Sequence, residues 1–121
     1  MKKLVLTLLL CVVALQLNAQ SCEEIMEYVK EQSTGTTYTS YTSEAISKVT
    51  FYTITVDYKT LYFAIVCFKQ KYSYGCSEYI YQVGSSTKLN YSMNYLSSAG
   101  KAFHKYINPY NKSLKCAPDF E

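Results

Sequence analysis

The residues of this sequence best suited to covalent chemistry are its cysteines. Cys11 lies within an apolar N-terminal run, and four others follow it: Cys22, Cys67, Cys76 and Cys116. That run follows Lys2-Lys3, as in the signal peptide of an exported chain, and an even number of cysteines in an exported chain is typical of disulfides, so we expect two bridges. Four cysteines allow three ways of pairing, and composition alone does not choose among them.

Hairpin geometry favours a bridge between Cys67 and Cys76. A turn about Lys71-Tyr72 places these two residues directly opposite each other on neighbouring strands, within reach of a disulfide. The remaining pair, Cys22 and Cys116, then ties the first helix to the C-terminal tail. Free thiols or zinc ligands are the alternative, but there is no Cys-x-x-Cys spacing and no second histidine.

Side chains that do acid–base catalysis are sparse. His104 is the single histidine of the sequence and lies between two lysines, without an acidic residue nearby in sequence. A catalytic base needs an orienting group and a nucleophile within hydrogen-bonding reach. We therefore assign no catalytic residue, no metal site and no cofactor. A small hydrolase using Glu78 or Asp57 remains the enzymatic alternative, without paired carboxylates at motif spacing to support it.

Tyrosine is unusually frequent, with 14 residues and no tryptophan. Tyrosine offers a large contact area at low rotamer entropy, which suits binding surfaces. The candidate binding surface has five members: Tyr62, Tyr72, Tyr74, Tyr79 and Tyr81. The alternative is that these rings fill the sheet and the edges of the core.

The N-terminus has the three parts of a secretory signal peptide. Two lysines precede an apolar run from Leu4 to Leu17, and Ala19 is a small residue suited to cleavage. We expect residues 1–19 to be removed and residues 20–121 to form a single small domain in the periplasm, the cell envelope or the medium. A lipid anchor on Cys22 is the alternative, but Ala19 and Gln20 depart from a lipobox and three cysteines would remain.

Charge argues against nucleic acid as the partner. Without residues 1–19, ten lysines face nine acidic residues, and the chain has no arginine. Arginine is the usual bidentate reader of phosphate and guanine, so a near-neutral chain lacking it does not have a nucleic-acid footprint.

The apolar leader is also too short for a comfortable permanent membrane span, and we expect no transmembrane segment in the mature chain.

Three runs dense in β-branched and aromatic residues predict three strands: Lys48–Val56, Leu61–Phe68 and Glu78–Val83. The middle run is apolar at both its odd-numbered and its even-numbered positions, which is typical of a strand covered on both faces. It is therefore placed at the centre of a three-stranded antiparallel meander.

The polar segment 33–43 is expected to be a surface loop that reaches the sheet edge, and its Tyr and Thr residues suit a carbohydrate or partner contact.

Helical periods flank these strands. Cys22, Ile25, Met26 and Val29 share one face of an N-terminal helix. After the strands, one apolar face is predicted to carry Leu89, Met93 and Leu96 and to continue through Phe103 to Ile107. We expect two C-terminal helices rather than one bent helix, because Ser97-Ser98 offers a new cap and Gly100 weakens a helix interior. The fold class is α+β, with these helices packed on the sheet.

Two short motifs stand out: Tyr79-Ile-Tyr81-Gln-Val83 on the third predicted strand, and Ser98-Ala-Gly100-Lys-Ala-Phe103 followed by Ile107. Both motifs resemble the KTSC domain. The similarity spans roughly residues 43–110 and implies the strand–strand–strand–helix–helix core. The first helix, Cys22 and Cys116 lie outside the family pattern, and the resemblance implies no established activity.

The sequence as a whole favours a small, exported, disulfide-stapled binding or interaction module. Its expected partner is a protein or a carbohydrate. A secreted hydrolase and a secreted inhibitor or toxin are the alternatives.

Overall fold

The computed structural model describes residues 20–118 and residue 120, so the predicted signal peptide lies outside the described residues. The elements in chain order are α1 (Gln20–Gln32), β1 (Thr36–Thr39), β2 (Ile46–Val56), β3 (Lys59–Lys69), β4 (Cys76–Val83), α2 (Thr87–Asn94), α3 (Ala99–Tyr106) and a 3-10 turn (Asn108–Tyr110). The α+β class, the N-terminal helix and the two C-terminal helices are confirmed.

The sheet has four antiparallel strands in the order β1-β2-β3-β4, so the expectation of three strands is wrong. The additional strand is β1, which lies inside the segment expected to be a loop. It pairs with the first half of β2, and the hydroxyls of Thr37 and Thr50 lie 2.9 Å apart across the pair. Threonine has high strand propensity, and a cross-strand Thr–Thr pair stabilises the ladder without any apolar alternation.

Strand β3 lies between β2 and β4 and is covered on both faces, as its sequence predicts. Phe63 and Ile65 pack in a core with Val29 of α1. Ala64 and Val66 pack in the opposite core with Phe103 of α3. The sheet is therefore the middle layer of a three-layer domain.

Helix α1 covers the first face through the residues that its period predicts. Val29 is buried, and Ile25 and Met26 pack against the same cluster. At the edge of this layer, Lys30 Nζ lies 2.9 Å from Glu78 Oε1 on β4.

Helices α2 and α3 cover the other face and are separate. Ser98 is the N-cap of α3, where its side chain accepts a hydrogen bond from the Lys101 amide. Ala102, Phe103 and Ile107 point into the core, as predicted.

The predicted inner face of α2 is wrong. Leu89, Met93 and Leu96 are 62%, 73% and 81% exposed, whereas Tyr91 is fully buried. Tyr91 stacks on Tyr95 with ring centroids 5.5 Å apart. The broad tyrosine rings, rather than the aliphatic chains, fill the space above the short β1 strand.

The turn between β2 and β3 has two residues with positive φ, Asp57 at 51° and Tyr58 at 65°. Val56 pairs directly with Lys59 around it. Two consecutive positive φ values are the signature of a type I′ hairpin turn, which matches the twist of the strands.

Two disulfides are present, which confirms the inference from the cysteine count. Cys22 and Cys116 are joined with Cα atoms 5.6 Å apart, and Cys67 and Cys76 with Cα atoms 5.3 Å apart. The expected direct opposition of the second pair is wrong, since Cys67 faces Glu78 and Cys76 faces Lys69. The bridge crosses the hairpin diagonally at the base of a loop that spans residues 70–75.

Candidate functional site

The five tyrosines of the predicted binding surface do not lie together. Tyr81 is buried, and Tyr62 and Tyr79 are half-buried against the core beneath α2 and α3. Tyr72 and Tyr74 are almost fully exposed on the β3–β4 loop. The surface therefore divides into core residues on the strands and two free rings at a loop tip.

Tyr81 in particular is a structural residue. Its ring centroid lies 5.8 Å from that of Phe103 in an edge-to-face contact. Burial raises the pKa of its hydroxyl, and the neighbouring Tyr79 adds to the increase. A phenol with a raised pKa stays protonated at neutral pH, which is consistent with a packing role for Tyr81 and not with acid–base chemistry.

The acidic residues considered for a hydrolase lie far apart. Asp57 is in the β2–β3 turn, while Glu78 faces Cys67 near the other end of β3 and pairs with Lys30. Eight residues of strand separate these positions, or roughly 26 Å at the usual rise. His104 is exposed on α3. Among the described residues, no group of three His, Cys, Asp or Glu side chains is placed to hold a metal ion.

One end of the sheet gathers three connections. The β1–β2 loop (40–45) and the β3–β4 loop (70–75) meet there because the start of β2 pairs with the end of β3, Ile46 facing Phe68. Lys69 joins them: its amide donates to the Ala45 carbonyl at 2.7 Å, and its Nζ donates to the Ser43 carbonyl. The α2–α3 connection (95–98) lies beside the β1–β2 loop.

A groove of about 600 Å³ separates the β1–β2 loop from the α2–α3 connection and the first turn of α3. Eight of its thirteen described lining residues carry a hydroxyl: Thr39, Ser40, Tyr41, Thr42, Ser43, Tyr95, Ser97 and Ser98. The remaining lining residues are Glu44, Ala45, Leu96, Ala99 and Gly100. Among these described residues, Glu44 is the single charged one.

The first turn of α3 adds backbone donors to the groove wall. Ser98 Oγ accepts the Lys101 amide at 3.2 Å, which leaves the amides of Ala99 and Gly100 without an intrahelical acceptor. A Cβ placed on Gly100 meets no atom within 4 Å, so the space in front of this residue is open. The wall therefore presents amide donors beside serine hydroxyls.

Ser40 and Tyr95 line the groove, and Tyr91 lies behind them in the core. Ser40 is 8% exposed, and Tyr91 is fully buried. Burial raises the pKa of Tyr91 to about 12; the adjacent Ser40 hydroxyl opposes the increase, and Tyr95 adds to it. The two hydroxyls are neighbours, although neither oxygen has a partner in good hydrogen-bonding geometry among the described residues.

The rim is formed by one exposed ring and one aliphatic side chain. Tyr41 is 88% exposed on the β1–β2 loop, and Leu96 flanks it across the groove. Tyr72 and Tyr74 stand on the neighbouring loop. Tyr41 and Tyr95 are absent from the predicted binding surface. The Tyr/Thr composition of segment 33–43 was a signal for Tyr41, whereas no sequence signal marked Tyr95.

The chain matches no model of a known protein family, no curated protein and no solved structure. The resemblance to the KTSC domain therefore stays a prediction. Within residues 20–118, no helix has the length and apolar character that a membrane span requires.

Proposed function

We propose that this chain is an exported binding module whose ligand site is the hydroxyl-rich groove together with the loops around it. The observation that carries the proposal is the convergence of three connections of Tyr, Ser, Thr and Gly residues at one end of the sheet. The same composition serves recognition loops elsewhere, because tyrosine gives rigid contact area while serine and glycine give adaptable hydrogen bonding.

The loops that carry the site are ordered by contacts present without any ligand. The Cys67–Cys76 bridge closes the base of the β3–β4 loop. In the β1–β2 loop, the Ser40 amide donates to the Ser47 carbonyl at 2.9 Å, and Ser43 Oγ accepts the Ile46 amide at 3.1 Å. A loop ordered before binding loses less conformational entropy when a ligand arrives, which favours recognition.

Export is supported by the disulfides and by the N-terminal sequence. Two bridges indicate an oxidising compartment, where such bonds form and persist. The KTSC resemblance adds that Ser98 and Gly100, two of the residues that carry it, line the groove.

The test is a screen of small oligosaccharides and short peptides against residues 20–121 by two-dimensional amide NMR. We expect ligands to shift the amide signals of residues 40–45 and 97–100. The variant Gly100→Leu fills the open space without a backbone clash and abolishes these shifts. His104→Leu places the same side chain on the exposed side of α3, outside the groove lining, and retains them. Ligands that shift signals elsewhere and ignore Gly100→Leu contradict the proposal.

A further inference from the structure

The lining of the groove is uncharged except at one position, and this restricts the chemistry of its ligand. Glu44 is the single charged residue among the described lining residues, and no lysine, arginine or histidine is among them. An anionic ligand such as a phosphate, a sulfate ester or a uronic acid meets a like charge there, while the nearby cation of Lys69 is already bound to the Ser43 carbonyl. Like-charge contacts disfavour binding, so Glu44 selects against anionic ligands.

Hydroxyl groups dominate the polar atoms that remain. A serine, threonine or tyrosine hydroxyl both donates and accepts hydrogen bonds and rotates to suit its partner. The open amides of Ala99 and Gly100 add fixed donors at one wall. A ligand that satisfies such a surface offers many groups that also donate and accept, as the hydroxyls of a sugar do.

An aromatic ring stands at the mouth of the groove. Tyr41 is 88% exposed, so both faces of its ring are open to a ligand. The face of an aromatic ring carries negative potential, and the C–H groups of a sugar ring carry weak positive potential and shed water when covered. A sugar ring stacked on Tyr41 lies in the same groove as the serine and threonine hydroxyls.

We propose, on the basis of the function proposed above, that the groove takes a neutral carbohydrate chain. Its volume of about 600 Å³ lies in the usual range of small-molecule sites, roughly 300–1,000 Å³. A peptide ligand is less well matched, since peptide anchors are usually large apolar or cationic side chains in deep pockets. Leu96 is the single large aliphatic side chain among the described lining residues, and the other apolar surface comes from Ala45, Ala99 and the flat rings of Tyr41 and Tyr95.

The probes are cello-, malto-, xylo- and manno-oligosaccharides, an oligogalacturonide as the acidic counterpart and a set of short peptides. Binding is measured by calorimetric titration and by amide NMR on residues 20–121. We expect at least one neutral oligosaccharide to bind in the groove and the oligogalacturonide not to bind. Glu44→Gln is expected to improve the affinity of the oligogalacturonide relative to the neutral ligand.

Two site variants and two matched controls identify the surface. Tyr41→Ala and Gly100→Leu are expected to weaken the neutral oligosaccharide at least ten-fold. The control for Tyr41→Ala is Tyr58→Ala, which removes an exposed ring at the opposite end of the sheet. The control for Gly100→Leu is His104→Leu, which adds a leucine to the same helix at a position that does not line the groove. Both control variants are expected to bind the oligosaccharide as the parent protein does. Unchanged melting temperatures show that the site variants remain folded.

The outcomes separate the two proposals. Peptides or oligogalacturonide that bind in a Gly100→Leu-sensitive manner, without any neutral oligosaccharide doing so, overturn the carbohydrate inference and leave the binding function standing. Neutral oligosaccharides that bind but ignore both site variants overturn the carbohydrate inference as well. If no probe shifts a groove signal, both proposals fail.

Discussion

Ile65 and Val66 are adjacent in β3, yet their side chains lie in two separate hydrophobic cores. Ile65 packs with Val29 of α1, and Val66 packs with Phe103 of α3. Both are almost completely buried. Neither face of the sheet is open at this point, so each of the two side chains contributes burial to its own core.

Truncating either residue is expected to be costly. Ile65→Ala and Val66→Ala should each lower the free energy of unfolding by about 2–4 kcal/mol, from lost burial plus a cavity. Urea denaturation of the two variants measures this directly. A nearly silent change at one position would mean that its face of the sheet is uncovered in solution.

The inner face of α2 can be tested by contrasting two of its residues. Tyr91→Ala should lower the free energy of unfolding by about 3–5 kcal/mol, because the ring is fully buried between Phe51 and Tyr95. Met93→Ala should change it by less than about 0.5 kcal/mol, because Met93 is 73% exposed. The reverse order of effects in thermal or urea unfolding would restore the aliphatic face as the buried one.

The two disulfides should differ in their contribution to stability. They join residues 94 and 9 positions apart in sequence. In the loop-entropy model, the long-range bridge contributes about 5 kcal/mol and the short one about 3 kcal/mol. We expect the double variant Cys22→Ala/Cys116→Ala to unfold at a lower urea concentration than Cys67→Ala/Cys76→Ala. The opposite ranking would contradict the entropic account.

The β2–β3 turn offers a stabilising substitution. Tyr58 has a φ of 65° and an almost fully exposed side chain, so Tyr58→Gly relieves the left-handed backbone without loss of packing. The melting temperature should rise by a few degrees. Tyr72→Gly is the control, because Tyr72 is equally exposed but is not among the described residues with positive φ. A fall in melting temperature for Tyr58→Gly would argue against the type I′ turn.

Alkaline pH should destabilise the domain through its buried phenols. The pKa of Tyr91 is raised from 10.0 to about 12, and that of Tyr81 is raised as well. Above pH 10, unfolded tyrosines lose protons that the folded state retains, so the free energy of unfolding falls as pH rises toward 12. Urea midpoints measured between neutral pH and pH 12 check this. Tyr91→Phe should flatten the decline, and an unchanged slope would assign the effect to other groups.

The sequence predicted the central strand well because Leu61–Phe68 is apolar on both parities, a pattern with a direct structural meaning. The same pattern predicted helices on both faces. Strand β1 was not predicted because Thr36-Thr37-Tyr38-Thr39 has no apolar alternation. Its position depends on pairing with β2 and on the packing of Tyr38 against Tyr95. Such pairing depends on tertiary context that composition does not carry.

The candidate site was harder to predict for a related reason. Tyr81 and Tyr72 are the same residue type, but Tyr81 is buried because its strand position faces the core, and Tyr72 is exposed because it lies at the tip of a loop. On α2, the spacing that selects Leu89 and Met93 has an equivalent on the nearly opposite face in Thr87, Tyr91 and the C-cap Tyr95. Ring volume decided between these faces, and hydropathy did not.

The bridge between Cys22 and Cys116 also determines how the domain responds to tension. A force applied between the chain before residue 22 and the chain after residue 116 passes through the sulfur–sulfur bond. The strands between these positions then carry none of the load, and the domain keeps its length while its flanks extend. A pull along this axis therefore leaves the groove undistorted.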